Sequence, residues 1–445
     1  MAPVLTARAF PRHPGVSGWV AMLSPRVPAQ ALDGRQTADV VVIGAGFAGL
    51  AAARRMFQLD PSLRILMLEA GQVGEGPAGR NSGFIIDLPH EVSADSLGSD
   101  QADHARRDIF NNRTALALVQ DMAEEQGWGT EIFNPCGRYS IARGAKGDHH
   151  LQEYAAQLTA LGEAHRLLSS AETAALTGSS AFSAALYTPG TALIQPAAFV
   201  RACADALQAR RLRLHEQSPV RRITRQGAGW QVETAQGQVA TGRVVLAVNG
   251  HAQSFGLLPG RLMHVFTYAS LTRPFDPRRL GGARDWAATP ALPMGTTLRR
   301  IAGADGDRLL VRSRYSYNPG LTVGEGALRR AGQLHDRKLA SRFPALAGVG
   351  MDHRWGGAMA LTWNSVPVVE EVEPGLWLAA GCNGVGATNA TANGIVAGER
   401  ALGVLSALGR DYAAAPPPKR IPPEPFATIG GKVALGWKEW RAGDE

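Results

Sequence analysis

Residues 39–50 read DVVVIGAGFAGL, an apolar, β-branched run that ends in the pattern GxGxxG. The run is typical of a buried parallel strand, and the residues after the glycines have helical composition up to Pro61. In this setting Gly44 permits a tight turn, Gly46 lets the backbone approach a pyrophosphate, and Gly49 lets the helix pack closely on the sheet. The pattern therefore predicts a dinucleotide-binding turn. Its remaining positions are Ala45, Phe47 and Ala48.

An acidic residue follows this turn at a suitable distance. Residues 64–69 form a second apolar run that ends in Glu69, 25 residues after Gly44, and Ala70 comes next. A carboxylate at this place accepts hydrogen bonds from a ribose. A GxGxxG pattern alone is a weak signal, but the strand, the turn, the helix and the acidic residue together predict nucleotide binding.

Two later glycine-rich segments indicate which dinucleotide is bound. The segment GPAGRNSG at 76–83 follows the second strand, and LWLAAGCNGVG at 376–386 runs from an apolar strand into a glycine turn. An NAD domain does not need a glycine turn so far along the chain. A flavin does, because its long ring has to be held at both ends. The sequence therefore favours FAD.

With these motifs the sequence resembles the D-amino-acid oxidase-type superfamily of FAD-dependent oxidoreductases, most closely its glycine/sarcosine oxidase and gamma-glutamylputrescine oxidoreductase branch. The stretches QSPV at 217–220 and VLAVNGH at 245–251 also match. The resemblance covers nearly the whole chain in order, and residues 262–345 diverge most.

The resemblance implies how FAD is bound. The three glycines of the turn would bind the pyrophosphate, Glu69 the adenosine ribose, and Val220 the adenine through its backbone. The residues implied for the ribityl chain, the phosphates and the flavin are Arg80, Asn81, Ser82, Asn249, Gly250, Gly381, Asn383, Gly384, Val385 and Gly386. Because Cys382 lies inside the flavin-holding turn, we expect non-covalent FAD.

The resemblance also implies the reaction. Relatives oxidise the C–N bond of a small amine or amino acid by hydride transfer to flavin N5, and the imine then hydrolyses. Some pass the electrons to oxygen with the help of a lysine near N5, but this chain has no lysine between Lys146 and Lys338. A dehydrogenase that uses an electron carrier therefore stays open beside an oxidase. The alternatives are an NAD(P)H-linked flavin hydroxylase or reductase, and a flavoprotein subunit of an electron-transfer complex.

Core-type strands recur near residues 40, 65, 245 and 377, with other material between them. We therefore predict an α/β fold with an α+β second domain, in which a Rossmann-like FAD-binding domain is interleaved with a mixed-sheet substrate domain. The FAD-binding domain would comprise residues 1–95, 186–261 and 346–445. The substrate-binding domain would comprise residues 96–185 and 262–345.

The substrate candidates come from the divergent part. Over residues 309–317, strand alternation predicts Arg312 and Arg314 on one face and Tyr315 and Tyr317 on the other. The arginines would hold a carboxylate. A solvated cationic face opposite packed aromatic rings explains the same pattern. His90 and the nearby Asp87 are further cavity candidates, although a lone histidine is more often structural.

Composition limits the remaining classes. The 445 residues are 45% hydrophobic and 19% charged, as in a globular protein, and the three cysteines form no CxxC pair or zinc pattern. The net charge of +8 comes from scattered arginines, so no nucleic-acid partner is expected. We predict no membrane span, because the longest nearly uncharged apolar stretch, residues 40–53, is shorter than the roughly 20 residues a crossing needs. The N-terminus lacks the apolar core of a secretion signal, which predicts a cytoplasmic protein.

The last segment, IGGKVALGWKEW at 429–440, has the composition of a helix. The sequence leaves open whether this helix docks a partner or caps the fold.

Overall fold

The computed structural model describes residues 3–89 and 99–445, and the side chains from residue 102 in the second range. In these ranges the α-helices are α1 (Gly18–Ala21), α2 (Phe47–Leu59), α3 (Ser99–Gln126), α4 (Ala145–Leu161), α5 (Ser170–Thr177), α6 (Pro196–Ala209), α7 (Glu325–Arg342), α8 (Gly386–Ala401), α9 (Ala407–Ala414) and α10 (Phe426–Ala442). None of these helices has the length and apolarity needed to cross a bilayer.

The strands of the described residues form three sheets. They are β1 (Val4–Thr6), β2 (Gly34–Ile43), β3 (Ile65–Leu68), β4 (Phe84–Ile85), β5 (Phe133–Asn134), β6 (Arg138–Ala142), β7 (Arg166–Leu168), β8 (Ala184–Thr188), β9 (Ala192–Ile194), β10 (Arg213–His215), β11 (Arg222–Gln226), β12 (Gly229–Glu233), β13 (Gly237–Leu246), β14 (Leu262–Thr272), β15 (Trp286–Pro290), β16 (Thr297–Ile301), β17 (Arg308–Tyr317), β18 (Met351–Thr362), β19 (Val368–Glu373) and β20 (Leu376–Ala380).

The predicted strand–turn–helix–strand unit is confirmed as β2, α2 and β3. In the first sheet β2 pairs in parallel with β3 on one side and with β13 on the other, and β20 continues the parallel set beyond β13. Successive side chains of β2 point to opposite faces, and both faces are covered: Val40 and Val42 pack towards α2 and α6, whereas Val41 and Ile43 pack towards β11 and β12. A strand buried on both faces needs apolar residues at every position, which explains the uninterrupted run in the sequence.

The second sheet has the order β18-β14-β17-β16-β15-β6-β8-β7 and is antiparallel except between β15 and β6. β14 runs antiparallel to both β17 and β18. The mixed α/β class predicted from the sequence is therefore confirmed. A small third sheet has the order β4-β9-β5, and β9 runs antiparallel to both neighbours.

The pairing of β18 bears on the predicted domain division. The sequence predicts residues 346–445 in the FAD-binding domain, and within this range β18 pairs along its length with β14 in the second sheet. Strand periodicity shows that a segment is a strand but not which sheet it joins, because the partner is distant in sequence. We propose that residues 351–362 belong with the substrate-binding sheet; the other domain boundaries stay predictions.

Helices α2 and α8 pack with their backbones in contact. A Cβ on Gly394 would overlap the carbonyl oxygen of Ala48, and one on Gly398 would lie 2.8 Å from that of Ala52. The contacts advance in the same direction along both helices, so the helices run parallel. Their N-termini therefore point towards the same side of the parallel sheet.

We expect Gly394→Ala to lower the midpoint of thermal unfolding clearly, because the added methyl group forces the two helices apart and overpacking costs about 1–3 kcal/mol. The matched control is Gly436→Ala in α10, where a Cβ meets nothing within 4 Å. That change should leave the midpoint unchanged or raise it, since alanine favours a helix over glycine. Equal midpoints for the two variants would contradict the close packing of α2 on α8.

Candidate active site

A cavity of about 980 Å³ lies between the parallel sheet and the second sheet. Its wall includes the turn after β2, the end of β3, the loop before β4, the turn after β20, and parts of β14 and β17. The first and last of these are the two glycine-rich turns that the sequence placed at opposite ends of a flavin. The structure brings them to one cavity because α2 and α8 run parallel.

The front turn lies at the N-terminus of α2. Gly44 has a φ of 102°, and its nitrogen donates to the carbonyl of Leu68, which ties the turn to the end of β3. A Cβ on Gly49 would overlap the carbonyl oxygen of Gly44. Gly49 therefore allows the turn to close behind the cavity wall. The first N–H groups of α2 then face the cavity, and a helix N-terminus favours a phosphate.

Glu69 fixes the shape of this turn. Its Oε2 accepts a hydrogen bond from the nitrogen of Ala45 at 2.9 Å, and its Oε1 accepts one from the nitrogen of Gly71 at 3.0 Å. Burial raises the pKa of Glu69, and the two backbone donors oppose that shift. The carboxylate lies in the cavity wall, where its remaining lone pairs can accept hydrogen bonds from a ribose.

The rear turn, residues 381–386, is tied to two other segments. Asn249 accepts from the nitrogen of Gly381 at 3.0 Å and donates to Cys382 Sγ at 3.2 Å. The Oδ1 of Asn383 accepts from the nitrogen of Thr362 at 2.8 Å. Both ends of the Asn249 amide are therefore engaged by the turn. Its role here is to shape the flavin-holding turn, whereas a phosphate contact of Asn249 stays a prediction.

The loop before β4 forms the third side of the cavity. Arg80 donates to the carbonyls of Glu75 (2.7 Å), Gly15 (2.9 Å) and Gly356 (3.2 Å), and burial lowers its pKa to about 10. Arg80 thus joins the N-terminal arm, which comprises residues 3–33, to its own loop and to β18. Asn81 donates to the carbonyl of Ala78 at 2.7 Å.

Most of the predicted cofactor residues line this cavity. They are Gly44, Ala45, Gly46, Phe47, Ala48, Glu69, Ala70, Arg80, Asn81, Ser82, Val220, Asn249, Asn383, Gly384, Val385 and Gly386. Gly49 lies behind the front turn, Gly250 packs against the ring of His264, and Gly381 packs against Thr362 and Val366. These three support the wall from outside it. Direct contact of any of these residues with the cofactor stays a prediction.

The predicted faces of residues 309–317 are wrong. Arg312 and Tyr315 both line the cavity, whereas Arg314 and Tyr317 lie outside it. In the pairing of β14 with β17, Thr267 faces Tyr315 but the next residue, Tyr268, faces Ser313, so Arg314 is an extra residue with a φ of 68°. A β-bulge of this kind moves the following side chains to the opposite face. Nothing in the alternating sequence signals it.

The bulge creates a polar pair on the cavity wall. Arg312 Nη1 donates to the hydroxyl of Tyr315 at 2.6 Å, and the guanidinium lies 4.8 Å from the centre of the Tyr315 ring. Arg314 instead forms an ion pair with Glu439 of α10 at 2.5 Å. Tyr317 packs against Gly431 of the same helix.

The other candidates have different outcomes. His90 lies outside the described residues. Asp87 is buried and accepts from Thr191 Oγ1 at 3.1 Å, away from the cavity wall.

Sequence reasoning missed the contribution of the chain ends. His13 of the N-terminal arm and Leu435 of α10 line the cavity, as does Thr267 of β14. Burial and the nearby Arg80 guanidinium lower the pKa of His13 to about 3, so its imidazole is neutral at neutral pH. These residues belong to no motif, and only their position in the fold identifies them.

The polar groups of the cavity fit a large polar ligand. Among the described side chains, three buried polar atoms that lack a hydrogen-bond partner belong to residues of the wall: His13 Nδ1, Thr267 Oγ1 and Asn383 Nδ2. Orphaned polar atoms are costly unless a ligand or water satisfies them. With a helix N-terminus at one end and an unpaired amide at the other, the cavity suits a dinucleotide that carries a polar ring. Over the described residues, no cluster of His, Cys, Asp and Glu is arranged to hold a metal ion.

Comparison with known proteins agrees with this geometry. The profile of a family described as DAO, FAD dependent oxidoreductase, matches residues 39–400. A probable oxidoreductase OrdL of Rhizobium meliloti is 28% identical over 412 residues, which are 89% of this chain and 91% of the relative. The gamma-glutamylputrescine oxidoreductase of Escherichia coli is 24% identical, over 84% of this chain and 85% of its own.

The fold is shared with solved structures. The crystal structure of glycine oxidase from Geobacillus kaustophilus superposes with a TM-score of 0.66 at 19% identity, and covers 84% of this chain and 96% of its own. At this identity the likeness shows the common fold.

We expect Glu69→Ala to weaken FAD binding about 10- to 100-fold, because the change removes a carboxylate that shapes the front turn and can hydrogen bond the ribose, and bonds to charged groups contribute about 1.5–3 kcal/mol. Titration of the apoprotein with FAD measures the dissociation constant. Glu153→Ala, which removes an exposed carboxylate of α4, is the matched control. Unchanged FAD affinity in the Glu69 variant would contradict the assigned role.

Proposed function

The chain belongs to the DAO family of FAD-dependent oxidoreductases, whose relatives act on amines and amino acids, and from this premise we propose that it oxidises the C–N bond of a small amino acid or amine that carries a carboxylate. FAD supplies the chemistry when bound, by accepting a hydride from carbon and passing the electrons on. The protein supplies binding, orientation and a dry pocket. The observation that carries the proposal is the pair of Arg312 and Tyr315 on the wall of the cofactor cavity.

Arg312 suits the binding of a carboxylate. A guanidinium has five N–H donors in a planar fork, and only one is needed for Tyr315, so the four that remain are enough for a bidentate contact. The ring of Tyr315 lies against the guanidinium and fixes its orientation. Because the Tyr315 oxygen accepts from Arg312, its own proton is free to donate to the substrate.

The rest of the wall favours the neutral amine. Apolar side chains from β14, from the loop after β15 and from α10 surround the pair; they include Val265, Ala269, Leu292, Met294 and Leu435. Removal of water disfavours an ammonium group, and hydride loss from the adjacent carbon needs the unprotonated nitrogen. His13 is neutral in the same cavity and therefore adds no positive charge to its wall.

We propose further that the electrons leave to a carrier in preference to oxygen. Among the described residues of the cavity wall there is no lysine. Lys338, the next lysine after Lys146, donates instead to Thr296 Oγ1 at 2.6 Å and to the carbonyl of Glu445 at 3.2 Å, and burial lowers its pKa to about 8. The oxygen-assisting lysine expected of an oxidase of this type therefore has no counterpart in this wall.

The cytoplasmic location stays a prediction.

We expect Arg312→Met to raise the KM for the carboxylate-bearing substrate about 10- to 100-fold, as the loss of a charge-assisted contact of about 1.5–3 kcal/mol requires. Anaerobic titration of the flavin absorbance with a panel of amino acids and their decarboxylated amines finds the substrate and measures its affinity. The variant should no longer discriminate between each amino acid and its decarboxylated amine. Arg308→Met is the matched control, because Arg308 lies on the same strand but pairs with Asp352 outside the cavity.

Two outcomes would contradict this proposal. If the flavin is bleached by NADPH and by none of the amines, the hydroxylase or reductase alternative is correct. If Arg312→Met and Arg308→Met bind every compound of the panel equally well, Arg312 does not recognise the carboxylate.

The choice of electron acceptor is tested with the same reduced enzyme. We expect an artificial dye acceptor to reoxidise the flavin at least about tenfold faster than air-saturated buffer, because no cationic amine in the described wall assists oxygen. Stopped-flow recovery of flavin absorbance measures both rates. Faster recovery with oxygen than with the dye would assign the protein as an oxidase.

A further inference from the structure

Helix α10 has one face that belongs to the active site. Leu435 lines the cavity and Gly431 lies against Tyr317. Glu439 accepts from the nitrogen of Tyr315 at 2.8 Å and pairs with Arg314. The helix therefore holds the bulge that presents the proposed substrate-binding pair. Its inner face is the one that contacts the rest of the protein.

The outer face of α10 carries five large apolar side chains that lie in water. Their exposed fractions are high: Phe426 66%, Ile429 58%, Val433 66%, Trp437 52% and Trp440 77%. Their spacing of three, four, four and three residues places them along one line of the helix. Contiguous apolar surface of this kind marks an interaction site.

Within α10, the exposed charges beside this stripe are positive. Lys432, Lys438 and Arg441 are exposed, and the Arg441 guanidinium lies 4.8 Å from the centre of the Trp437 ring. Glu439, the acidic residue of α10, is engaged on the inner face by Arg314. A second copy of the chain would bring these cations together, which is unfavourable. The occupant of this face is therefore anionic as well as apolar.

We propose that α10 seats the protein on the surface of an anionic lipid bilayer. The helix lies in the plane of the headgroups, the tryptophans and Phe426 enter the boundary with the acyl chains, and the three cations face lipid phosphates. Tryptophan favours this boundary because it has an apolar ring and a polar N–H group, and lysine and arginine extend their charges to the headgroups. One helix would then separate the bilayer from the substrate cavity.

The proposal is tested by flotation of the purified holoenzyme with vesicles. We expect the protein to float with vesicles of phosphatidylglycerol and phosphatidylcholine, much less with phosphatidylcholine alone, and to be released by salt. The charge variant Lys432→Gln/Lys438→Gln/Arg441→Gln should weaken binding about 100-fold, since each of the three cations contributes roughly a factor of five at such a surface. Trp437→Ser/Trp440→Ser should abolish flotation.

Trp363→Ser is the matched control, because Trp363 is 57% exposed on a different part of the chain. It should float as the unchanged protein does. Retention of FAD and an unchanged midpoint of thermal unfolding show that each variant is folded. The face tested lies opposite the residues assigned to substrate, so failure here leaves the proposed reaction standing.

Three results would overturn the proposal. The first is equal flotation of the tryptophan variant and the unchanged protein. The second is a dimer in light scattering that becomes monomeric in the tryptophan variant while neither binds vesicles, which would assign the face to a second copy. The third is retention on an immobilised acidic polypeptide without flotation, which would assign it to an acidic protein.

Discussion

The site depends on the contact between α2 and α8. Gly394 and Gly398 let these two helices approach until backbone meets backbone, which no side chain would permit. The helices come from opposite ends of the chain, and each begins in a glycine-rich turn. Their parallel packing therefore sets the distance between the two turns, which are predicted to face the phosphates and the ring of FAD. A flavin can be held at both ends only if this distance is fixed.

The second constraint is the bulge at Arg314, which decides which side chains of β17 line the cavity. Without the extra residue, the cavity face of β17 would carry two arginines or two tyrosines, as plain alternation requires. With it, one arginine and one tyrosine share the face and bind each other. The left-handed backbone of Arg314 costs free energy, and Glu439 offsets that cost by binding both the side chain of Arg314 and the nitrogen of Tyr315. The C-terminal helix is thus part of the active site as well as its outer cover.

The N-terminal arm and helix α10 complete the wall of the cavity that lies between the two sheets. The N-terminal arm contributes His13 and is fastened by Arg80, whose guanidinium also binds the loop before β4 and β18. Helix α10 contributes Leu435 from the other side. A pocket that excludes water has to be enclosed on every side, and the parallel sheet covers only one side of this cavity. The ends of the chain therefore contribute to the electrostatics of the site, through the neutral imidazole and the apolar wall.

The sequence by itself determined the parallel sheet, its glycine-rich turn, the family and a set of predicted cofactor residues, most of which line the cavity. These features rest on local rules: a strand buried on both faces must be apolar throughout, and a turn that approaches phosphate must be glycine. Only the tertiary structure decided that β18 belongs to the second sheet, that Arg312 faces the cavity with Tyr315 and without Arg314, and that the chain ends line the site. Each of these depends on contacts between segments that are distant in sequence. The pattern of a strand shows which of its faces are apolar, but it shows neither the partner strand nor a single inserted residue.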